Sequence, residues 1–229
     1  MKKILMILCF GLGLFQGSAQ ENIKTMFYNL LNFPDISPSR IDDLAVIIAD
    51  YQPDLFMVCE LNDAFGAAQI LTRLQTINPN YAQATFFTNA SDDNFGDFNS
   101  LQNLIYYDSS KFILEAQDIV TTTIRDFNRY TLKLNTINQV ANPIRLEVFV
   151  GHLKAGNSEE DEIKRFLMVE QLTSYLSTLD ANCYVLFAGD LNLYTSNDIT
   201  FDKLTNPSEH IPLVDPINRL GDWHNNSSF

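Results

Sequence analysis

The sequence predicts an α/β fold, on three observations. Asp54-Leu55-Phe56-Met57-Val58-Cys59 and Cys183-Tyr184-Val185-Leu186-Phe187-Ala188 are near-continuous apolar runs with the length of strands buried on both faces. Each follows a segment of helical periodicity, and each of those follows another strand-like segment, so the chain holds two βαβ-like units. The four strands of these units each end on a polar residue, Asn29, Glu60, His152 and Asp190 in turn.

Residues 23–29, short and rich in β-formers, read as the first strand. A turn with Pro34, Ser37 and Pro38 follows, and residues 40–51 carry Ile41, Leu44, Ala45 and Ile48 at helical spacing until Pro53 breaks the pattern. The second strand closes on Glu60, and a helix is expected over residues 64–77, ended by Asn78-Pro79. Residues 81–87 read as a strand and the Asn/Asp-rich residues 88–100 as a loop. Three further strands are expected over 101–107, 112–120 and 130–136, with Arg125-Asp126-Phe127-Asn128-Arg129 as a polar turn. Residues 144–152 place Leu146, Val148 and Val150 on one strand face. Ser158 is the expected N-cap of the next helix, whose first turn carries Glu159, Glu160, Asp161 and Glu162 and which runs to about Leu179. The strand 183–188 then closes on Gly189-Asp190.

The N-terminus reads as a signal peptide over residues 1–19: Lys2 and Lys3, an uncharged apolar stretch to Phe15, then small residues ending at Ala19. It is shorter than the ~20 apolar residues of a spanning helix, and no later stretch is long and apolar enough to cross a membrane. Residues 20–229 are expected to form one domain, exported and monomeric. The formal net charge of −13 becomes more negative still without Lys2 and Lys3. Such a surface disfavours gripping nucleic acid by counterion release but leaves open an enzyme that meets phosphate through a divalent cation. Cys59 precedes Glu60 directly, whereas Cys183 lies seven residues before Asp190, about 23 Å along an extended strand. If the two carboxylates share a site, the sulfurs are too far apart to bridge.

The rim formed by those strand ends is where α/β sheets bind ligands. Glu60 closes a buried strand, a costly place for a carboxylate unless it is solvated, paired or bound to a hard cation. Gly189-Asp190-Leu191-Asn192 projects an Asp and an Asn that can bind metal or hold an attacking water. His152, in Gly151-His152-Leu153-Lys154, has the ordinary reading of a structural histidine beside a catalytic one. His210 and His224 have no partner motif, and no HExxH, zinc-cysteine pattern, phosphate-cradling glycine loop or GxSxG elbow is present.

Taken in order, Met26-Phe27-Tyr28-Asn29-Leu30-Leu31-Asn32-Phe33, Cys59-Glu60-Leu61-Asn62, Gly151-His152-Leu153-Lys154 and Gly189-Asp190-Leu191-Asn192 resemble the endonuclease/exonuclease/phosphatase superfamily, the deoxyribonuclease I-like fold. The resemblance implies a four-layer α/β sandwich of two facing mixed sheets flanked by helices. It implies Mg²⁺, or Mn²⁺ or Ca²⁺, held by Asn29, Glu60 and Asp190, with His152, Asp190 and Asn192 catalytic. His152 would bond the scissile phosphate, and Asp190 and Asn192 would position and activate water. The reaction implied is hydrolysis of a phosphate ester. Nucleic acid is the first choice of substrate, with a phosphatase, a sphingomyelinase-like phosphodiesterase or an inactive binding protein as alternatives. The loop 88–100, with Asp92, Asp93 and Asp97, either flanks substrate or is simply solvated. The family closes with a Ser-Asp-His type motif that this sequence lacks, Glu209-His210-Ile211-Pro212 coming too soon after Gly189-Asp190. The resemblance therefore carries the expectation of a chain incomplete at its C-terminus, weak or inactive by itself, from an active parent.

Overall fold

The computed structural model describes residues 22–89, 101–137, 139–209, 211–224 and 226. The expected signal peptide 1–19, the acidic residues Asp92, Asp93 and Asp97 and His210 lie outside them. The chain runs β1 (Thr25–Phe33), α1 (Arg40–Tyr51), β2 (Leu55–Leu61), α2 (Ala64–Gln75), β3 (Tyr81–Gln83), β4 (Gln102–Asp108), β5 (Phe112–Val120), β6 (Phe127–Leu134), β7 (Arg145–His152), α3 (Glu159–Leu176), β8 (Tyr184–Asp190) and α4 (Ile199–Thr205). Two four-stranded mixed sheets result, in the orders β1-β2-β4-β3 and β5-β6-β7-β8. They face each other through β2 and β7, with helices outside, as a four-layer α/β sandwich.

The two βαβ units are real: β1 pairs parallel with β2, and β7 parallel with β8. The main core fills both sides of the first sheet: Leu55, Met57 and Ile105 meet Tyr130, Leu132, Val148 and Val150 between the sheets, while Phe56, Val58, Leu104 and Tyr106 pack on the side turned to α2. A second core packs Met168, Val169, Leu172 and Leu176 of α3 against Phe127 and Phe149 on the outer face of the second sheet. Each such side chain taken fully out of water contributes roughly 1.5–3 kcal/mol. Helix starts follow their caps. Asp63 accepts from the Gly66 amide at 2.7 Å, and Ser158 and Asp161 form a reciprocal capping box on α3.

Several expectations change. β1 continues past Asn29 to Phe33 through a bulge in which Leu31 and Asn32 take positive φ. β3 ends at Gln83 rather than near 87, because β4 offers it only three paired positions. The turn expected at 125–129 is shorter, since Asn128 and Arg129 pair with Val150 and Phe149 of β7 and belong to β6. The strand read as doubly buried at 183–188 is an edge. β8 pairs with β7 alone among the described residues, so its side chains are half-exposed to exposed, whereas β2, flanked by β1 and β4, is buried throughout. The helix α4, capped by Asp198, was not expected. Among the described residues no helix is long and apolar enough to cross a membrane, and Cys59 and Cys183 are both free thiols.

Candidate active site

The C-terminal ends of β1, β2, β7 and β8 converge on one rim of the sandwich. In the register of the parallel β7–β8 pair, His152 stands opposite Asp190 and Gly151 opposite Gly189. Both glycines are required by close approach. A Cβ at Gly189 would collide with the Gly151 carbonyl oxygen, and one at Gly151 with the Phe127 ring. Across the cleft, β2 breaks register with both its neighbours at its last residues, and Glu60 takes φ 55°. Bulges of this kind re-aim a side chain. Here the effect is to aim the Glu60 carboxylate, buried like the rest of β2, at Asn29 and His152.

Asn29 joins the two sheets at this point. Its Nδ2 donates to Glu60 Oε1 at 2.7 Å and to Asp190 Oδ2 at 2.9 Å, while its Oδ1 accepts from the Leu31 amide at 2.8 Å. His152 Nε2 lies 3.9 Å from Glu60 Oε1 and 3.8 Å from Asp190 Oδ2. Burial holds the His152 imidazole well below its ordinary pKa, at about 4, helped by the nearby Arg125 guanidinium and opposed by Asp190. The imidazole is therefore neutral at pH 7, and His152 does not offset the two carboxylates.

Asn192 has φ 49°; its Nδ2 donates to the Leu153 carbonyl at 3.0 Å, and its backbone N–H donates to Asp190 Oδ1 at 3.3 Å. The Leu153 carbonyl also accepts from Arg125 Nη1 at 3.0 Å. Arg125 is buried and belongs to the site, although the sequence reading passed over it as part of a turn. Its position at the start of an alternating strand antiparallel to β7, hence at the same rim, was the available signal. His224 lies elsewhere, edge-on to Tyr194 with ring centroids 4.5 Å apart.

Glu60, His152 and Asp190 each offer a ligand atom, all within 4.8 Å of one another. Two carboxylates sharing one amide donor, beside a neutral imidazole, form a locally anionic pocket of hard oxygen donors. That donor chemistry fits a small divalent cation such as Mg²⁺.

No protein-family model matches the sequence, and no curated protein is similar to it. Solved structures are similar in fold. The human Nocturnin catalytic domain with bound sulfate aligns at TM-score 0.62 and 20% identity, over 81% of this chain and 69% of that one. A mannosyl-6-phosphatase from Bacteroides thetaiotaomicron aligns at 0.55 and 15% identity, over 80% and 69%. An endonuclease/exonuclease/phosphatase family protein from the same organism aligns at 0.53 and 13% identity, over 79% and 67%. The chain has the endonuclease/exonuclease/phosphatase superfamily fold.

Proposed function

We propose that this chain carries the cation- and phosphate-binding site of an exported, divalent-metal-dependent phosphoesterase, acting first on phosphodiesters of nucleic acid. The observation that carries the reading is the convergence of Glu60 and Asp190 on Asn29, with His152 Nε2 within 3.9 Å of both carboxylates. Glu60 and Asp190 would hold the cation, with Asn29 beside them. When bound, it neutralises phosphate oxygens and orients the ester for in-line attack.

The chain's own groups supply the rest. Neutral His152 donates a hydrogen bond to a phosphoryl oxygen, and the Arg125 guanidinium offsets the charge that develops there. Asp190 is the proton acceptor for the attacking water. Asn192, its amide nitrogen bound to Leu153, keeps its side-chain oxygen as an acceptor to orient that water. The net charge of −13 favours a second reading, a small phosphate ester in place of a polyanion, and one similar structure is a mannosyl-6-phosphatase.

The test is Mg²⁺ binding by calorimetry, together with hydrolysis of plasmid DNA and of bis(p-nitrophenyl) phosphate, with and without chelator, beside Asp190→Ala. Chelator-sensitive cleavage lost in the variant supports the proposal. Metal binding without cleavage of either diester moves the substrate to a phosphomonoester, lipid or inositol phosphate. Absence of metal binding would sink the reading and favour a binding protein.

A further inference from the structure

The turn that carries Arg125 is gripped from both sheets. On its own side, Thr122 Oγ1 donates to the Arg125 carbonyl at 2.9 Å and accepts from the Arg125 amide at 3.0 Å, and the Thr122 amide donates to Asp126 Oδ1 at 2.8 Å. From the opposite sheet come two asparagines. Asn103, on β4, donates from Nδ2 to the Asp126 carbonyl at 3.2 Å and to Asn128 Oδ1 at 3.1 Å. Asn89, after β3, donates from Nδ2 to the same two oxygens at 3.4 and 3.1 Å, and its amide donates to Gln102 Oε1 at 2.7 Å.

Asn89, Asn103 and Asn128 are each at most 4% exposed. Burying amide side chains between two sheets is costly unless they are fully bonded, and these are not: Asn89 Oδ1, Asn103 Oδ1 and Asn128 Nδ2 find no partner among the described residues, so apolar residues would serve packing better. The amides of Asn103 on β4 and of Asn89, which follows β3, nevertheless converge on one backbone carbonyl, that of Asp126, the residue after Arg125. The Arg125 amide and carbonyl and the Asp126 carbonyl are thereby fixed. The guanidinium itself is held by Nη1 donating to the carbonyl of Leu153, the residue after His152, at 3.0 Å.

We propose that Asn89 and Asn103 are positioning residues for Arg125, holding its guanidinium at the phosphate side of the site by gripping the Asp126 carbonyl from the opposite sheet. The proposal rests on the phosphoesterase reading for the role of Arg125, and its test is separable from it. They act on the anion through Arg125, without touching it themselves. A preorganised cation loses less freedom when the anion binds and needs no rearrangement as charge develops.

The experiment uses Asn103→Leu, close in volume but without donors, in the full chain. The Arg125 side-chain Nε–Hε signal, assigned with Arg125→Lys, is followed by ¹⁵N NMR. Inorganic phosphate and Mg²⁺ binding are measured by calorimetry. In the wild-type protein the Arg125 signal is ordered and slowly exchanging, and Asn103→Leu broadens or averages it. Phosphate in the presence of Mg²⁺ then binds roughly tenfold more weakly, with Mg²⁺ affinity changed less than about twofold. In an Arg125→Met background, Asn103→Leu has no further effect on phosphate. An Arg125 signal unaltered by Asn103→Leu, or an equal loss of phosphate affinity in both backgrounds, would overturn the proposal. If Asn103→Leu fails to fold, Asn89→Ala carries the same comparison. Wild-type protein that binds no phosphate would overturn the phosphoesterase reading instead, while the Arg125 signal still decides the positioning.

Discussion

Gly189 on β8 packs so closely on Gly151 of β7 that a Cβ at position 189 would meet the Gly151 carbonyl oxygen. The next register pair is His152 and Asp190. The distance between the two sheet-borne site residues is therefore set by the absence of a side chain one step below them. Gly189→Ala must separate β7 from β8 at the rim. Overpacking of this kind costs about 3 kcal/mol, which for a domain this size lowers Tm by roughly 6–12 °C. Thermal unfolding of the variant checks the cost. A Tm within about 2 °C of wild type would mean that the strands yield without strain.

The carboxylates of Glu60 and Asp190 share one donor, Asn29 Nδ2, and a neutral His152 does not offset them. In the metal-free protein this is a repulsive pair held together by the fold. Asp190→Asn keeps the shape and removes one charge, so it should raise metal-free stability by roughly 1 kcal/mol, as relief of a functional strain does. The same change should abolish stabilisation by Mg²⁺, which in wild type reaches about 2.7 kcal/mol at a hundred times Kd. Urea unfolding with chelator and with Mg²⁺ gives both numbers. A variant less stable than wild type in chelator would show that the hydrogen bonds Asp190 accepts from Asn29 Nδ2 and the Asn192 amide outweigh the repulsion.

How far the site could be read from the sequence follows from where its residues sit on strands. Asn29, Glu60, His152 and Asp190 each close or nearly close a run of strand periodicity, and parallel crossovers carry such ends to one side of a sheet. Arg125 was missed because it approaches the rim from the start of β6, in an antiparallel strand whose N-terminus lies at that edge. The asparagines that hold its turn are 22 and 36 residues away in sequence, and no local pattern links them to it. β8 was read as doubly buried because Val185, Leu186 and Phe187 are as apolar as β2. Composition records what a strand can bury, and the count of its neighbours is a property of the sheet.

Burial holds His152 at about pKa 4 in the folded chain against 6.5 in its absence. Between those values the unfolded chain binds the proton and the folded one does not, so stability rises with pH. The contribution is fully present above pH 6.5 and is lost as pH falls toward 4. It amounts to roughly 2–3 kcal/mol between pH 7 and pH 4 in chelator. Carboxylates such as Asp108 and Asp161, held low by their hydrogen bonds to Ser110 and Ser158, add acid lability of the same sign. The His152 share is therefore the difference in slope between wild type and His152→Gln, measured by urea unfolding at half-unit pH steps. Parallel slopes would mean that the imidazole protonates as readily in the folded chain as out of it.

Arg165 and Asp198 form an ion pair of 3.1 Å with side chains 2% and 4% exposed. The same guanidinium donates from Nη1 to the carbonyls of Lys154 at 3.2 Å and Gly156 at 2.7 Å and lies over the Tyr194 ring. It ties the loop that leaves His152 to the loop that leaves Asp190, while Asp198 caps α4 through the Thr200 amide at 2.9 Å. Arg165→Met removes the counter-charge of a buried carboxylate and the donor to two loop carbonyls, a loss of about 3–5 kcal/mol. Asp198→Asn keeps an acceptor for Thr200 but leaves the guanidinium without its counter-charge, and it should lose a similar amount. Once one partner is gone, removing the other relieves an orphaned charge, so the double variant should lose less than the sum by about 2 kcal/mol. A double-mutant cycle by urea unfolding measures that coupling. Strict additivity would show that Arg165 is held by the loop carbonyls alone and that Asp198 serves only as the cap of α4.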